Sequence, residues 1–211
     1  MQGDSLIIKV CGMRDGDNIR EIDSVHPDMM GFICWPGSTR NVSTPPSCLP
    51  NCHRVGVFVN PSVKEVLNAK EMLGLDYMQL HGNESVNVCK KLKQETGLKL
   101  IKAISVSQTS DIDKAMAYQE IAELLVFDTK CKTYGGSGDK FNWDILNNYA
   151  GELPFLLSGG IGPKDYTKIR DWHHPKCIGI DINSCFEISP ALKDAETTIE
   201  FIKKIRQYNH E

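Results

Sequence analysis

A thiol and a carboxyl group each stand at the end of a short apolar run of the sequence. Cys11 ends the run at residues 5–11, and Asp128 ends the run at residues 124–128. A thiolate can remove a proton and a protonated carboxyl group can supply one, so the pair could perform general acid–base catalysis. Alternate side chains of a strand share a face, so Lys9 is expected beneath Cys11, where its charge could stabilise the thiolate. The apolar residues before Asp128 favour its protonated form.

Two further apolar runs lead into turns of small and polar residues. Gly159 and Gly160 form one of these turns, and Asn183 with Ser184 lies in the other. Backbone N–H groups in such turns can bind a phosphate without the help of lysine side chains. A glycine pair also occurs in ordinary turns, so the position of these turns in the fold decides between the two interpretations.

These residues belong to a regular repeat of eight short apolar runs rich in β-forming residues. The runs occupy residues 5–11, 29–35, 54–59, 77–80, 99–104, 124–128, 154–157 and 177–181. Their ends are about 24 residues apart, which is the length of one strand, one turn and one helix. Helical patterns with start signals lie at residues 61–73, 84–96, 112–120 and 190–207. The second unit differs, because residues 36–50 contain four prolines and are expected to form mostly loop.

This repeat predicts an α/β fold, a single (β/α)8 TIM barrel with a degenerate second helix. Residues 1–211 are then one catalytic domain. A doubly wound open sheet is the alternative, but eight evenly spaced strands favour a closed barrel. In such a barrel the chemistry lies at the carboxyl ends of the strands, which adds Arg40, His81 and Asp181 to the candidate site residues.

Each of these candidates also has a purely structural alternative. Cys11 is either a catalytic thiol or a buried apolar one. Asp128 is either an acid, or a helix cap or partner of a lysine such as Lys130. Asp181 either takes part in catalysis or pairs with a lysine of the neighbouring strand, and His81 either binds substrate or only shapes its turn.

The overall composition limits the class of protein. The chain has 211 residues, a net charge of −3 and a pI near 6.1, so it offers no broad basic surface to nucleic acid. Its apolar runs are far shorter than a bilayer-spanning helix, and its first residues are unlike a signal peptide. We therefore expect a cytoplasmic protein without nucleic-acid or membrane partners, whose eight cysteines are mostly reduced. Cys48, Cys52 and His53 resemble half of a zinc site, but no second pair of ligands follows at a usable spacing, so no metal is expected.

Six motifs follow one another along the chain. They are Lys9-Val10-Cys11-Gly12, Gly31-Phe32 with Ser38-Thr39-Arg40, Gln79-Leu80-His81-Gly82, Asp128 with Gly135-Gly136-Ser137-Gly138 and Phe141-Asn142-Trp143, Ser158-Gly159-Gly160-Ile161, and Gly179-Ile180-Asp181 with Glu187. In this order and spacing the chain resembles the phosphoribosylanthranilate isomerase family over essentially its whole length. The first and fourth motifs distinguish this family from other phosphosugar barrels, which share the phosphate turns but lack this pair of motifs.

The resemblance implies an isomerase of tryptophan biosynthesis that converts N-(5-phosphoribosyl)anthranilate to 1-(2-carboxyphenylamino)-1-deoxyribulose 5-phosphate. This Amadori rearrangement implies no cofactor. By resemblance, Asp128 is the acid that protonates the furanose ring oxygen, and Cys11 is the base that removes the proton from the adjacent sugar carbon. The family also implies that Arg40 faces the anthranilate carboxylate, for which a planar guanidinium is well suited. We expect a monomer or homodimer whose ligand is an anionic phosphosugar.

One turn departs from the family pattern. The family usually has a glycine at the position of Cys185, after Asn183 and Ser184. A cysteine gives the backbone less freedom to adopt positive φ or to approach a phosphate closely, so this turn is expected to contribute less to phosphate binding than Gly159 and Gly160.

Two other functions are open to a barrel of this kind. Another phosphosugar isomerase or epimerase would bring a metal or a pair of carboxylates, and no metal-ligating set of His and Asp ends these strands. A phosphate-ligand binding barrel without catalysis would retain only one of the two catalytic groups, whereas both Cys11 and Asp128 are present.

Overall fold

The computed structural model describes residues 6–129 and 143–208, and its sheet is a closed barrel of eight parallel strands. The strands are β1 (Ile7–Cys11), β2 (Met29–Ile33), β3 (His53–Phe58), β4 (Tyr77–Leu80), β5 (Lys99–Val106), β6 (Leu124–Thr129), β7 (Phe155–Ser158) and β8 (Cys177–Ile182). Because β1 pairs with both β2 and β8, the sheet has no edge. The predicted (β/α)8 barrel is confirmed, and each of its eight strands overlaps a predicted run.

The alternation of side chains along the strands divides the apolar residues into two cores. Inside the barrel, a small cluster packs in layers, and its members include Met29, Val55, Ile101, Val126 and Leu156. The side chains that point outward form a larger core between the strands and the helices. Buried polar residues of the barrel strands accompany this apolar cluster, among them Lys9, Gln79 and Asp181.

The helices are α1 (Gly16–Asp23), α2 (Val63–Leu73), α3 (Val86–Thr96), α4 (Thr109–Ile112), α5 (Tyr166–Asp171) and α6 (Ala195–Tyr208). Helices α2 and α3 begin slightly later than predicted, because serine side chains cap them. The Ser62 hydroxyl accepts a hydrogen bond from the backbone N–H of Glu65, and the Ser85 hydroxyl accepts one from Val88. The proline-rich segment between β2 and β3 contains no helix, as predicted.

Two predicted helices are wrong in part. For residues 112–120 the structure has the short α4 followed by a 3₁₀ helix (Asp113–Tyr118). The Asp111 carboxylate accepts hydrogen bonds from the backbone N–H groups of Ser107 and Gln108, so helical winding begins before residue 112. A 3₁₀ helix rises about 2.0 Å per residue, so it covers a given distance with fewer residues than an α-helix.

The predicted helix at residues 190–207 begins only at Ala195. Before it lies an antiparallel hairpin, β9 (Glu187–Ser189) and β10 (Leu192–Lys193), whose turn contains Ala191 at φ 68°. The side chain of Asp194 accepts a hydrogen bond from the backbone N–H of Thr197 at 3.0 Å and so caps α6. The hairpin thus lies between the carboxyl end of β8 and the start of α6.

Candidate active site

The carboxyl ends of the strands surround a cavity of about 240 Å³. Eight of the nine predicted site residues line it: Cys11, His81, Asp128, Gly159, Gly160, Asp181, Asn183 and Ser184. The ninth, Arg40, does not line this cavity but stands beside it. A Cβ atom on Gly12 would lie 2.5 Å from Asn183 Oδ1 and 3.1 Å from Arg40 Cδ. The closed barrel therefore brings together residues that are far apart in the sequence.

Lys9 and Asp181 form a buried ion pair next to Cys11. The two residues face each other across β1 and β8, and Lys9 Nζ lies 2.9 Å from Asp181 Oδ1. Burial acts to lower the pKa of Lys9, but the charges of Asp181 and Cys11 and hydrogen bonds to both outweigh it, so this pKa is raised. Burial raises the pKa of Asp181, and Lys9 acts in the opposite direction. Of the two alternatives for Asp181, the structure contains the pairing with Lys9.

Cys11 lies on the inner face of β1, and its side chain is buried. Burial raises the pKa of the Cys11 thiol, although the charge of Lys9 and a hydrogen bond from it act to lower this pKa. The expectation that Lys9 stabilises the thiolate is met in position but not in net effect, because burial removes the thiol from water and the negative charge of Asp181 also opposes that of Lys9. A raised pKa makes the thiolate a stronger base but lowers its population at neutral pH.

The thiol of Cys11 depends on a glycine of the neighbouring strand for its space. Gly31 on β2 is the register partner of Cys11. A Cβ atom at Gly31 would lie 2.7 Å from Cys11 Sγ, closer than side-chain atoms pack. The glycine of the Gly31-Phe32 motif is therefore needed to leave room for the sulfur atom of Cys11.

Asp128 ends the inner face of β6 and is within reach of His81. The Asp128 carboxylate is 28% exposed, and its Oδ2 atom lies 3.2 Å from His81 Nε2. Asp128 is also the register partner of Ser158 on β7, which precedes the glycine turn. His81 thus lines the cavity and contacts the candidate acid. The alternative partner Lys130 lies outside the described residues.

A buried ion pair that the sequence did not single out holds the segment around His81. Lys102 Nζ lies 2.9 Å from Glu84 Oε2 and donates hydrogen bonds to the carbonyls of Leu80 and Gly82 at 3.0 and 2.9 Å. The other oxygen of Glu84 accepts a hydrogen bond from the backbone N–H of Asn60 at 2.7 Å. Because the carbonyls on both sides of His81 are bound to one ammonium group, the backbone that carries the imidazole is fixed.

The two predicted phosphate turns adjoin at the cavity. Gly159 and Gly160 have φ of 88° and 67°, a conformation that glycine adopts without strain. Ser184 and Cys185 belong to a 3₁₀ helix (Ser184–Phe186). Cys185 is not among the residues with positive φ, so this backbone does not require the glycine that the family usually has there. The Gly135-Gly136-Ser137-Gly138 run and the Phe141-Asn142 pair of the fourth motif lie outside the described residues.

Arg40 is held by an acidic residue of the β9–β10 hairpin. Its Nε atom donates to Glu187 Oε1 and Oε2 at 2.8 and 3.0 Å, and its Nη2 atom also contacts Oε2. Lys193 is buried and lies 2.8 Å from Glu187 Oε1, so two cations flank one carboxylate. Lys193 was not predicted as a site residue, because it lies within residues 190–207, where the sequence has a helical pattern.

Within residues 6–129 and 143–208, no cluster of three or more His, Cys, Asp and Glu side chains is arranged to hold a metal ion. Among the helices in the same ranges, none is long and apolar enough to cross a membrane.

Comparisons with known proteins give one consistent result. A family described as "N-(5'phosphoribosyl)anthranilate (PRA) isomerase" matches residues 8–204. The N-(5'-phosphoribosyl)anthranilate isomerase of Phocaeicola vulgatus is 47% identical over 203 residues, which cover 96% of this chain and 98% of the relative. A solved phosphoribosylanthranilate isomerase in complex with reduced 1-(o-carboxyphenylamino)-1-deoxyribulose 5-phosphate superposes with a TM-score of 0.79, at 26% identity and 96% and 99% coverage of the two chains. A structure of monomers generated from the dimeric Thermotoga maritima enzyme has the same TM-score, identity and coverage.

Proposed function

The chain belongs to the N-(5'-phosphoribosyl)anthranilate isomerase family and isomerises N-(5-phosphoribosyl)anthranilate in tryptophan biosynthesis, and we propose that Asp128 and Cys11 are the acid and base of this reaction. One observation carries the assignment: the carboxyl group and the thiol, which are far apart in the sequence, line one cavity together with the glycine turn at Gly159 and Gly160. The reaction moves only protons between the substrate and these side chains, so the proposal needs no cofactor.

The first step opens the sugar ring. Asp128 transfers its proton to the furanose ring oxygen as the bond from this oxygen to C1 breaks, and the lone pair of the anthranilate nitrogen forms the iminium. His81, 3.2 Å from the carboxylate, orients the Asp128 carboxyl group toward the cavity. The product of this step is an open-chain iminium with a hydroxyl group where the ring oxygen was.

The second step forms the enolamine. The Cys11 thiolate removes the proton from C2, and the electrons of the C–H bond neutralise the iminium. The enolamine then gains a proton at C1 and loses one from its C2 hydroxyl group, which yields the 1-amino-1-deoxyketose. Lys9, paired with Asp181, lies next to the sulfur, and its charge and hydrogen bond reduce the rise in the pKa of Cys11 that burial causes.

The two anionic groups of the substrate orient it between the acid and the base. We assign the phosphate to the backbone N–H groups of the turns at Gly159, Gly160, Asn183 and Ser184, which adjoin at one side of the cavity. We assign the anthranilate carboxylate to Arg40, whose guanidinium is fixed by Glu187. The proposed arrangement holds both ends of the substrate and leaves the ribose at the two catalytic groups.

A direct assay tests the function of the chain. The purified protein is mixed with freshly generated phosphoribosylanthranilate, and the loss of substrate fluorescence is followed. We expect loss that is proportional to protein concentration and much faster than the uncatalysed decay. A rate equal to the uncatalysed decay, from a protein with a folded circular dichroism spectrum, would contradict the proposal.

Replacing Arg40 by alanine is expected to raise KM about thirtyfold, or about 2 kcal/mol, with little change in kcat. The guanidinium binds a carboxylate that is present in both the ground state and the transition state, so its loss weakens both equally. Steady-state kinetics with the substrate measures this effect. An unchanged KM would show that other groups hold the carboxylate.

The other proposals concern the domain, compartment and partners of the enzyme. We propose one catalytic domain over residues 1–211 in the cytoplasm, since none of the seven described cysteines is in a disulfide and a reducing compartment suits them. We propose a monomer or homodimer, because one solved relative is dimeric. Its net charge of −3 supports the absence of a nucleic-acid partner.

A further inference from the structure

Lys193 is a buried cation placed between two parts of the site. Its side chain is fully buried, and its Nζ atom lies 2.8 Å from Glu187 Oε1 and 2.9 Å from Asn183 Oδ1. A lysine that is removed from water needs such partners, because an unpaired buried ammonium is costly. The two partners belong to different segments, so one ammonium group ties the β9–β10 hairpin to the turn after β8.

Glu187 connects Lys193 to the proposed carboxylate subsite. Its two carboxylate oxygens bind Arg40 Nε, and its Oε1 atom also accepts a hydrogen bond from the backbone N–H of Ala191 at 3.2 Å. Burial acts to raise the pKa of Glu187, but hydrogen bonds and charges of Arg40 and Lys193 outweigh it and lower this pKa. The ionised carboxylate therefore fixes the plane of the Arg40 guanidinium.

Asn183 connects Lys193 to the proposed phosphate subsite. It lines the cavity immediately before Ser184, the first residue of the 3₁₀ helix in the turn after β8. A contact that holds the Asn183 side chain also restrains the backbone that leads into Ser184. Loss of the Lys193 contact leaves the Asn183 Oδ1 atom without this ammonium partner and loosens the turn.

The backbone of Lys193 is itself held by helix α1. The backbone N–H of Lys193 donates to Asn18 Oδ1 at 2.8 Å, and Asn18 Nδ2 donates to the Lys193 carbonyl at 2.9 Å. Asn18 is buried, so this two-way contact is protected from water. The ammonium is thus presented from a fixed backbone.

Arg40, Lys193 and Glu187 form a cluster whose charges do not cancel, unlike the charges of the ion pair beside Cys11. Lys9 and Asp181 cancel each other, whereas Arg40 and Lys193 share the single carboxylate of Glu187. The cluster therefore keeps one net positive charge, in a chain whose overall charge is −3. Such a charge favours a substrate that is anionic at both ends.

We propose that Lys193 is a positioning residue that couples the carboxylate subsite at Arg40 to the phosphate subsite at Asn183 and Ser184. This inference rests on the proposed assignment of the two subsites. Lys193 is predicted to act on substrate binding through its two neighbours, with no role in proton transfer.

The test compares two small anions as competitive inhibitors, anthranilate for the carboxylate subsite and inorganic phosphate for the phosphate subsite. In Lys193→Met we expect both inhibition constants and the substrate KM to rise about tenfold, with kcat within a few-fold of wild type. Arg40→Ala should weaken anthranilate alone. Adding Lys193→Met to Arg40→Ala should then weaken phosphate but not anthranilate further. Ile188→Thr, at a position of the same hairpin that is 71% exposed, is the control and should change neither constant.

Each result that would contradict the proposal leads to a different conclusion. If Lys193→Met changes only one inhibition constant or neither, Lys193 does not couple the two subsites and the proposal is wrong. If it lowers the unfolding temperature and leaves both constants unchanged, Lys193 is only structural. If Lys193→Met does not fold, Asn18→Ala should raise both constants together, and a failure to do so overturns the inference. A wild-type protein without turnover would instead contradict the proposed function.

Discussion

Replacing Cys11 by serine is expected to lower kcat by a factor of about 10² to 10⁴, with KM within a few-fold of wild type. A serine hydroxyl is a far weaker acid than a thiol, so its alkoxide is not available as a base in the working pH range. The substitution also fits the site, because serine is smaller than cysteine and Gly31 already leaves room for the sulfur. Steady-state kinetics of the Cys11→Ser and Cys11→Ala variants measures the effect.

Cys177→Ser is the matched control. Its thiol also belongs to a barrel strand, donates to the carbonyl of Gly179 at 3.4 Å and has a pKa raised to about 11 by burial. It lies at the start of β8, away from the cavity, so its replacement should leave kcat unchanged. If Cys11→Ser retained near wild-type kcat, the base would be another group, and Asp181 would be the next residue to replace.

The same assignment determines how the wild-type rate depends on pH. Burial raises the pKa of the Cys11 thiol above its ordinary value, so the free enzyme holds mostly the neutral thiol at pH 7. The reaction requires the thiolate of Cys11 and the protonated carboxyl group of Asp128 at the same time, so kcat/KM should follow a bell-shaped curve that falls on the acid side as the thiolate is protonated and on the alkaline side as the carboxyl group loses its proton. A profile with only one falling limb would contradict the paired assignment.

Replacing Asp128 by asparagine is expected to abolish nearly all turnover of phosphoribosylanthranilate. The amide keeps the shape of the side chain and a contact with His81 but has no acidic proton for the ring oxygen. The variant should therefore fold normally and bind reduced 1-(o-carboxyphenylamino)-1-deoxyribulose 5-phosphate, the ligand of a solved relative, nearly as tightly as wild type. Titration calorimetry with this compound, together with the fluorescence assay, separates binding from chemistry.

Asp113→Asn provides a matched control, because this aspartate is exposed on the 3₁₀ helix after α4. It should lose neither binding nor turnover. Asp128→Asn with substantial turnover would assign the proton to water or to another carboxyl group at the strand ends. Asp128→Asn that no longer binds the reduced product would show that the carboxylate serves mainly in binding.

Much of the architecture is determined locally and was therefore predictable. Each strand is a short run of β-branched and apolar residues, and the distance between successive runs leaves room for one turn and one helix. The alternation of side chains along β1 and β6 was enough to place Lys9, Cys11 and Asp128 on the inner face of the barrel. The helix starts were less accurate, because the capping side chains Ser62 and Ser85 lie close to other polar residues that could cap.

The electrostatics of the site was decided only by the tertiary structure. The sequence shows Lys9 two positions before Cys11 and suggests a stabilised thiolate. In the barrel, β8 closes against β1 and places Asp181 opposite Lys9, while burial removes the thiol from water. The pKa of Cys11 is therefore raised, mainly by burial, with a smaller contribution from Asp181, and only the closed barrel produces both.

The hairpin after β8 is the clearest case of a feature that the sequence alone did not reveal. Residues 190–207 carry a helical pattern, yet Pro190 and Ala191 turn the chain, and α6 begins only after Asp194. Lys193 is held in this hairpin by Glu187, Asn183 and Asn18, which come from three separate segments. A helical pattern in the sequence reflects the contacts of one helix with one apolar core. The position of a buried cation depends instead on partners from separate segments, which only the closed barrel brings together.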